Sequence, residues 1–100
     1  MFSSNLRGKR YRFQSKRLPK DHGTCDPRER PNKAISISRT IRSPMLMLDT
    51  LIHEALHGCL WDLDEAAITE TAECIARVLI KAGVAVDVDK VQRRLKQENQ

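Results

Sequence analysis

The sequence predicts a single α+β domain: short antiparallel strands packed on an antiparallel helix hairpin, followed by a C-terminal helix. Three observations lead there. One hundred residues are enough for one hydrophobic core and not for two. Two short segments within the first 42 residues alternate apolar and polar side chains. From Ser43 to Gly83 the apolar spacing becomes that of two helices joined by a very short link.

Arg10-Tyr11-Arg12-Phe13-Gln14 alternates, which gives a strand one apolar face. Turn-forming pairs follow, from Leu18-Pro19 through His22-Gly23 to Asp26-Pro27 and Arg30-Pro31. Lys33-Ala34-Ile35-Ser36-Ile37-Ser38 alternates again, and the two runs are expected to pair antiparallel. Ser43-Pro44 then sets a capping hydroxyl before a proline at the first helical position, where a missing N–H does no harm.

The helix begun there runs to Leu60. Met45, Leu48, Ile52, Ala55, Leu56 and Cys59 crowd one side, while Leu46, Met47, Leu51 and Leu60 spread apolar character nearly all round, the pattern of a buried helix. After the turn Trp61–Asp64, Asp62 or Asp64 caps a second helix from Glu65 to about Lys81, closed by Gly83. Its inward stripe is Ile68, Ala72, Ile75, Ala76 and Leu79, and so short a link folds the two helices into a hairpin. Cys59 and Cys74 are expected to face each other there as small buried hydrophobes. In the tail, Val88, Val91 and Leu95 line a last helix capped by Asp87. The domain thus divides into a basic strand and loop region (1–42), the hairpin (43–83) and the tail (84–100).

Forty per cent apolar against 31% charged residues describes a soluble globular chain, and no run approaches the ~18 apolar residues of a membrane span. The N-terminus carries charge without an apolar h-region, and the three cysteines form no CxxC pair. A cytoplasmic chain with reduced thiols and no membrane partner is therefore expected. Four aromatic residues make a thin core that a bound metal would support.

The net charge of +5 is unevenly placed. Residues 1–42 carry twelve Lys and Arg against three Asp and Glu, whereas residues 43–100 carry six against ten. Arg7, Lys9, Arg10, Arg12, Lys16 and Arg17, interleaved with Tyr11 and Phe13, can track a nucleic-acid backbone. The same charges can equally keep an exposed edge strand soluble.

His53-Glu54-Ala55-Leu56-His57 is an HExxH motif inside the first helix. Residues four apart lie ~40° apart around the axis and ~5.4 Å along it, so both imidazoles reach one metal ion. Glu54 projects beside them, where it can act as general base on a zinc-bound water. Such a site takes three protein ligands, and Leu63 stands where the longer three-histidine motif would have its last one. The third ligand is then a carboxylate of the returning helix. With Ala72 at 0°, Glu65 falls at about 20°, Glu73 at about 100° and Glu70 at about 160°. Facing favours Glu65. Depth along a tight hairpin favours Glu73, and Asp64 is a more remote candidate. Glu65 is the choice made from the residues, although it could merely complete a capping box with Asp62, and Glu73 could merely pair with Arg77. His22 and Cys25, in His-Gly-Thr-Cys, make an incomplete metal site by themselves. His22 reads as a solvated loop residue or as a donor to a developing oxyanion.

The run LDTLIHEALHGCLWDLDEAAITETAECIARVLIKAG, residues 48–83, resembles the small HExxH proteins encoded by many phages and prophages, which are similar in turn to the minimal core of gluzincin metallopeptidases. Cys25-Asp26-Pro27 and Ile35-Ser36-Ile37 also look like that family's lead-in and edge strand. The resemblance spans about residues 22–83. It implies zinc held by His53, His57 and a later glutamate, with Glu54 as the base. The family's usual spacing for that glutamate is nearer Glu73 than Glu65.

Two functions follow. One is a zinc-dependent metallohydrolase, a minimal gluzincin-like metallopeptidase acting on a protein or peptide held against an edge strand at residues 33–38. The other is a non-catalytic zinc-stabilised domain, binding nucleic acid or a protein through its basic N-terminal half in the host cytoplasm. Glu54 favours the first, since a structural site has no use for that carboxylate; the basic run and small size favour the second. Little protein is left over to build a substrate groove. In either case, removing the ion is expected to unfold the domain.

Overall fold

β1 (Phe2–Leu6) and β2 (Lys9–Lys16) form a hairpin around Arg7-Gly8, whose positive φ angles of 48° and 84° belong to the two-residue turn that matches strand twist. The structure is a computed structural model describing residues 1–96. β3 (Gly23–Cys25) and β4 (Ala34–Ser38) complete a mixed sheet in the order β1-β2-β4-β3. Three helices follow: α1 (Pro44–Cys59), α2 (Glu65–Lys81) and α3 (Val88–Leu95). The last four residues of the expected tail lie outside the described residues.

The α+β class and the helix hairpin are present, but the strand pairing differs from expectation. β2 and β4 run parallel, Phe13 opposite Ile35 and Ser15 opposite Ile37. The chain makes its return pass in the three-residue β3, antiparallel to β4. β4 therefore lies between β2 and β3, so residues 33–38 are not an edge; the edges are β1 and β3, and β3 is the one packed more closely on α1. A strand so short carries no readable alternation.

Strand alternation directs Tyr11, Phe13, Ile35 and Ile37 to one face, where they form the core with Ile41 and with Met47 of α1 and Val88 and Leu95 of α3. Tyr11, Ile35, Ile37, Met47 and Leu95 are fully buried. Phe2 stacks on Phe13 with ring centroids 4.9 Å apart. Arg10, Arg12, Gln14 and Lys16 alternate onto the other face.

α1 starts at Ser43, whose hydroxyl accepts from Leu46 N–H, and Pro44 occupies its first turn. It lies between the sheet and α2, turning Met47, Thr50, Glu54 and Gly58 inward. Gly58 is where the β1–β2 hairpin comes closest, since a Cβ there would stand 2.5 Å from Leu6 Cδ1. Asp64 caps α2 by accepting from Ala67 N–H at 2.8 Å, and Gly83 at φ 96° ends it. Asp87 caps α3 in the same way through Lys90 N–H.

α2 meets α1 through Ile68, Ala72 and Ala76, all fully buried. Ile75, assigned to that stripe, is exposed, and Leu79 is half-buried. Cys74 is exposed and Cys59 half-buried, so they do not form a buried pair. Two residues beyond Ala72, Cys74 is turned about 200° from the buried seam, and no second layer covers that side. Among the described residues, no helix is long and apolar enough to cross a membrane.

Candidate metal centre

The last turns of α1 carry His53, Glu54 and His57, and the five-residue link brings the first residue of α2 back beside them. The imidazole Nε2 atoms of His53 and His57 are 3.2 Å apart. Glu65 spans both: its Oε1 is 2.9 Å from His53 Nε2 and its Oε2 is 2.8 Å from His57 Nε2. These three residues can hold a metal ion.

The donor set fits one. Two imidazole nitrogens and a carboxylate are ligands zinc accepts, and N or O donors at ~2.0–2.1 Å on a tetrahedron stand about 3.3 Å from one another. The separations of 2.8–3.2 Å are near that value. The Glu65 side chain is 68% exposed, so the centre opens to solvent on the α2 side.

The other carboxylates lie elsewhere. Glu73 stands 3.8 Å from Arg77 one turn along α2, an exposed pair. Asp64 is committed to the cap of α2, and Asp62 is exposed in the turn before it.

Glu54 is the buried member of the motif, 6% exposed. Burial pushes its carboxyl from the ordinary 4.5 up to about 7; His53 opposes the shift, and the carboxylates of Glu65 and Asp21 add to it. Its position depends on Gly23 in β3. A Cβ at residue 23 would come within 2.9 Å of Glu54 Cγ and 3.0 Å of Glu54 Oε2. Gly23, like Asp21, is a site residue that the sequence reading missed, because its role is a contact made across the fold. The His-Gly pair was legible only as a turn.

Two cavities, of about 290 and 340 Å³, meet at this point. Asp21, Gly23, His53, Glu54 and Glu65 border both. The first extends toward His22, Leu46, Asp49 and Thr69, the second toward Cys25, Arg28, His57 and Trp61. Residue numbers rise together along α1 and along the β3 segment, so the cavities form a groove between the helix and the sheet edge. A 100-residue chain therefore does build a groove, using its own edge strand as one wall. His22 lines it. Cys25 lines the other half, and burial raises its thiol to about 11.

The N-terminal basic residues disperse. Arg7 turns its guanidinium to Cys59 O at 3.0 Å, at the end of α1, where Arg28 reaches Gly58 O at 3.3 Å. Arg10, Arg12 and Lys16 stand on the face away from the helices, and Arg12 Nε donates to Gln14 Oε1. Lys9 is exposed at the start of β2 and Arg17 just beyond its end. Tyr11 and Phe13 are core residues, so they offer no surface on which bases could stack.

Comparison with known protein families, with curated proteins and with solved structures returned no match to this chain.

Proposed function

We propose that this chain is a zinc-dependent metallohydrolase that cleaves peptide bonds in an extended segment lying along β3. The observation that carries the reading is the buried Glu54 carboxyl next to a His, His, Glu donor set, at the centre of a groove bounded by a strand edge. The resemblance to gluzincin-like phage proteins, and a place in the host cytoplasm, belong to the same proposal.

A bound zinc ion supplies Lewis acidity, lowering the pKa of a water and polarising a carbonyl. The chain's own groups do the rest. Glu54, with a carboxyl near 7, takes a proton from the attacking water and delivers it to the leaving amine. His22, in the same groove, supplies a donor to the oxygen on which charge develops.

The edge strand supplies the grip. Asp26 N–H bonds to Ala34 O and Ser38 N–H to His22 O, so residues 22, 24 and 26 turn their backbone groups toward β4. Gly23 and Cys25 turn theirs outward, able to pair with an extended peptide.

The test is hydrolysis of an unfolded protein substrate by the zinc-loaded chain, with Glu54→Gln as control. Cleavage by wild type and none by the variant, at equal zinc content, supports the reading. Equal background from both sinks it and leaves a metal-stabilised domain, a reading favoured by the way Glu65 ties the start of α2 to α1.

A further inference from the structure

A further cavity, of about 340 Å³, shares no lining residue with the groove. Its walls are Ser15 of β2, Arg39 and Arg42 from the loop between β4 and α1, and Gln92, Arg93 and Lys96 at the end of α3. Four of the six are cations, and no carboxylate is among the described lining residues. Among the described residues, none of the four cations forms an ion pair.

The arrangement is held from within. Gln92 donates its side-chain amide to Ser38 O at 3.2 Å and to Ile41 O at 3.1 Å, tying α3 to the loop that carries Arg39 and Arg42. Leu95, fully buried, anchors the same turn. Arg39 N–H bonds to Lys16 O, fixing the loop to the end of β2. Four cations, all on exposed residues, are thus gathered around one opening against their mutual repulsion, which a bound anion relieves. Exposed Lys90 and Arg94 continue the charge along α3 beyond the cavity.

We infer that Arg39, Arg42, Arg93 and Lys96 form a binding site for the phosphate backbone of a nucleic acid. Planar guanidiniums suit paired phosphate oxygens, and an open cavity with a cationic margin follows a repeating polyanion better than it encloses a small one. Contacts of this kind position a backbone without reading bases. The site lies away from Arg10 and Arg12, where the basic N-terminal run first suggested it.

The experiment is fluorescence anisotropy of a labelled 20-base-pair DNA duplex titrated with the full chain between 50 and 200 mM salt. Two double variants of equal net charge are compared: Arg39→Ala/Arg93→Ala in the cavity and Arg10→Ala/Arg12→Ala on the open sheet face. Binding should weaken at least tenfold in the first, with the slope of log K against log salt reduced by roughly 2, and change less than threefold in the second. A further double variant, Arg42→Ala/Lys96→Ala, should repeat the loss, and unchanged melting temperatures will separate it from misfolding. Equal loss in the two differently placed doubles would mean diffuse attraction and overturn the site. So would absence of binding at 50 mM salt, polyglutamate binding as tight as the duplex, or inorganic pyrophosphate binding with equal affinity, which would mark a small-anion pocket.

Discussion

Around the sheet, cohesion is apolar: Tyr11, Ile35, Ile37, Met47 and Leu95 are fully buried and drawn from four different elements. Between α1 and α2 the buried seam is Ile68, Ala72 and Ala76, side chains whose burial is worth roughly 3–4 kcal/mol together. Val78 on the same helix is 64% exposed. At the open end of that seam a carboxylate bridges two imidazoles within 3 Å. One region is closed by hydrocarbon alone, the other by a thin apolar seam and polar groups able to ligate a metal. A metal ion held there would stabilise the hairpin above all, and the sheet with α3 would need less from it than the amino-acid composition suggested.

Replacing Glu54 by Gln should cut hydrolysis by about 10²–10⁴-fold while leaving zinc content and melting temperature with zinc nearly unchanged, as assayed by product formation beside metal analysis. Leu95→Ala should cost about 2–5 kcal/mol in urea unfolding, equally with zinc and with chelator, because it empties the apolar region and lines neither part of the groove. Chelation should speed amide hydrogen exchange across α2 while leaving β2 and β4 near their zinc-loaded rates; uniform acceleration would show that the two regions are not separable.

Gly23→Ala is a subtler probe, because its Cβ would press on the Glu54 side chain and on Thr50 Cγ2 at 3.0 Å. We expect kcat to fall about tenfold with zinc affinity held, read from steady-state kinetics and a zinc titration. The smallest effect is in pH. Burial raises the Glu54 carboxyl from 4.5 to about 7, so the fold favours its protonated form. That contribution is complete below pH 4.5 and lost as pH rises through 7. The metal-free protein should lose stability over that window, and Glu54→Gln should lose less.

What could be read in advance follows contact range. The starts of α1 and α2 are local chemistry, a serine before a proline and an aspartate three residues before the amide it accepts from, and both were legible. His53, Glu54 and His57 are fixed relative to one another by helix geometry alone. Glu65 required only a second helix angle, but which glutamate meets the imidazoles depended on how tightly residues 60–64 return. β1 was missed because Phe-Ser-Ser-Asn-Leu is mostly exposed and polar, β3 because three residues hold no pattern. A strand without a pattern hides the edge it forms and the groove beside it, so the alternating residues 33–38 read as that edge. The cationic cavity joins residues 15, 39, 42 and 93, which no sequence window holds together.

Elemental analysis shows whether His53, His57 and Glu65 hold one metal ion. Wild type, Glu65→Ala and Glu73→Ala are to be purified side by side without chelator. The expected result is one zinc per chain in wild type and in Glu73→Ala, with loss in Glu65→Ala. Zinc retained by Glu65→Ala, or no metal in wild type, would contradict it.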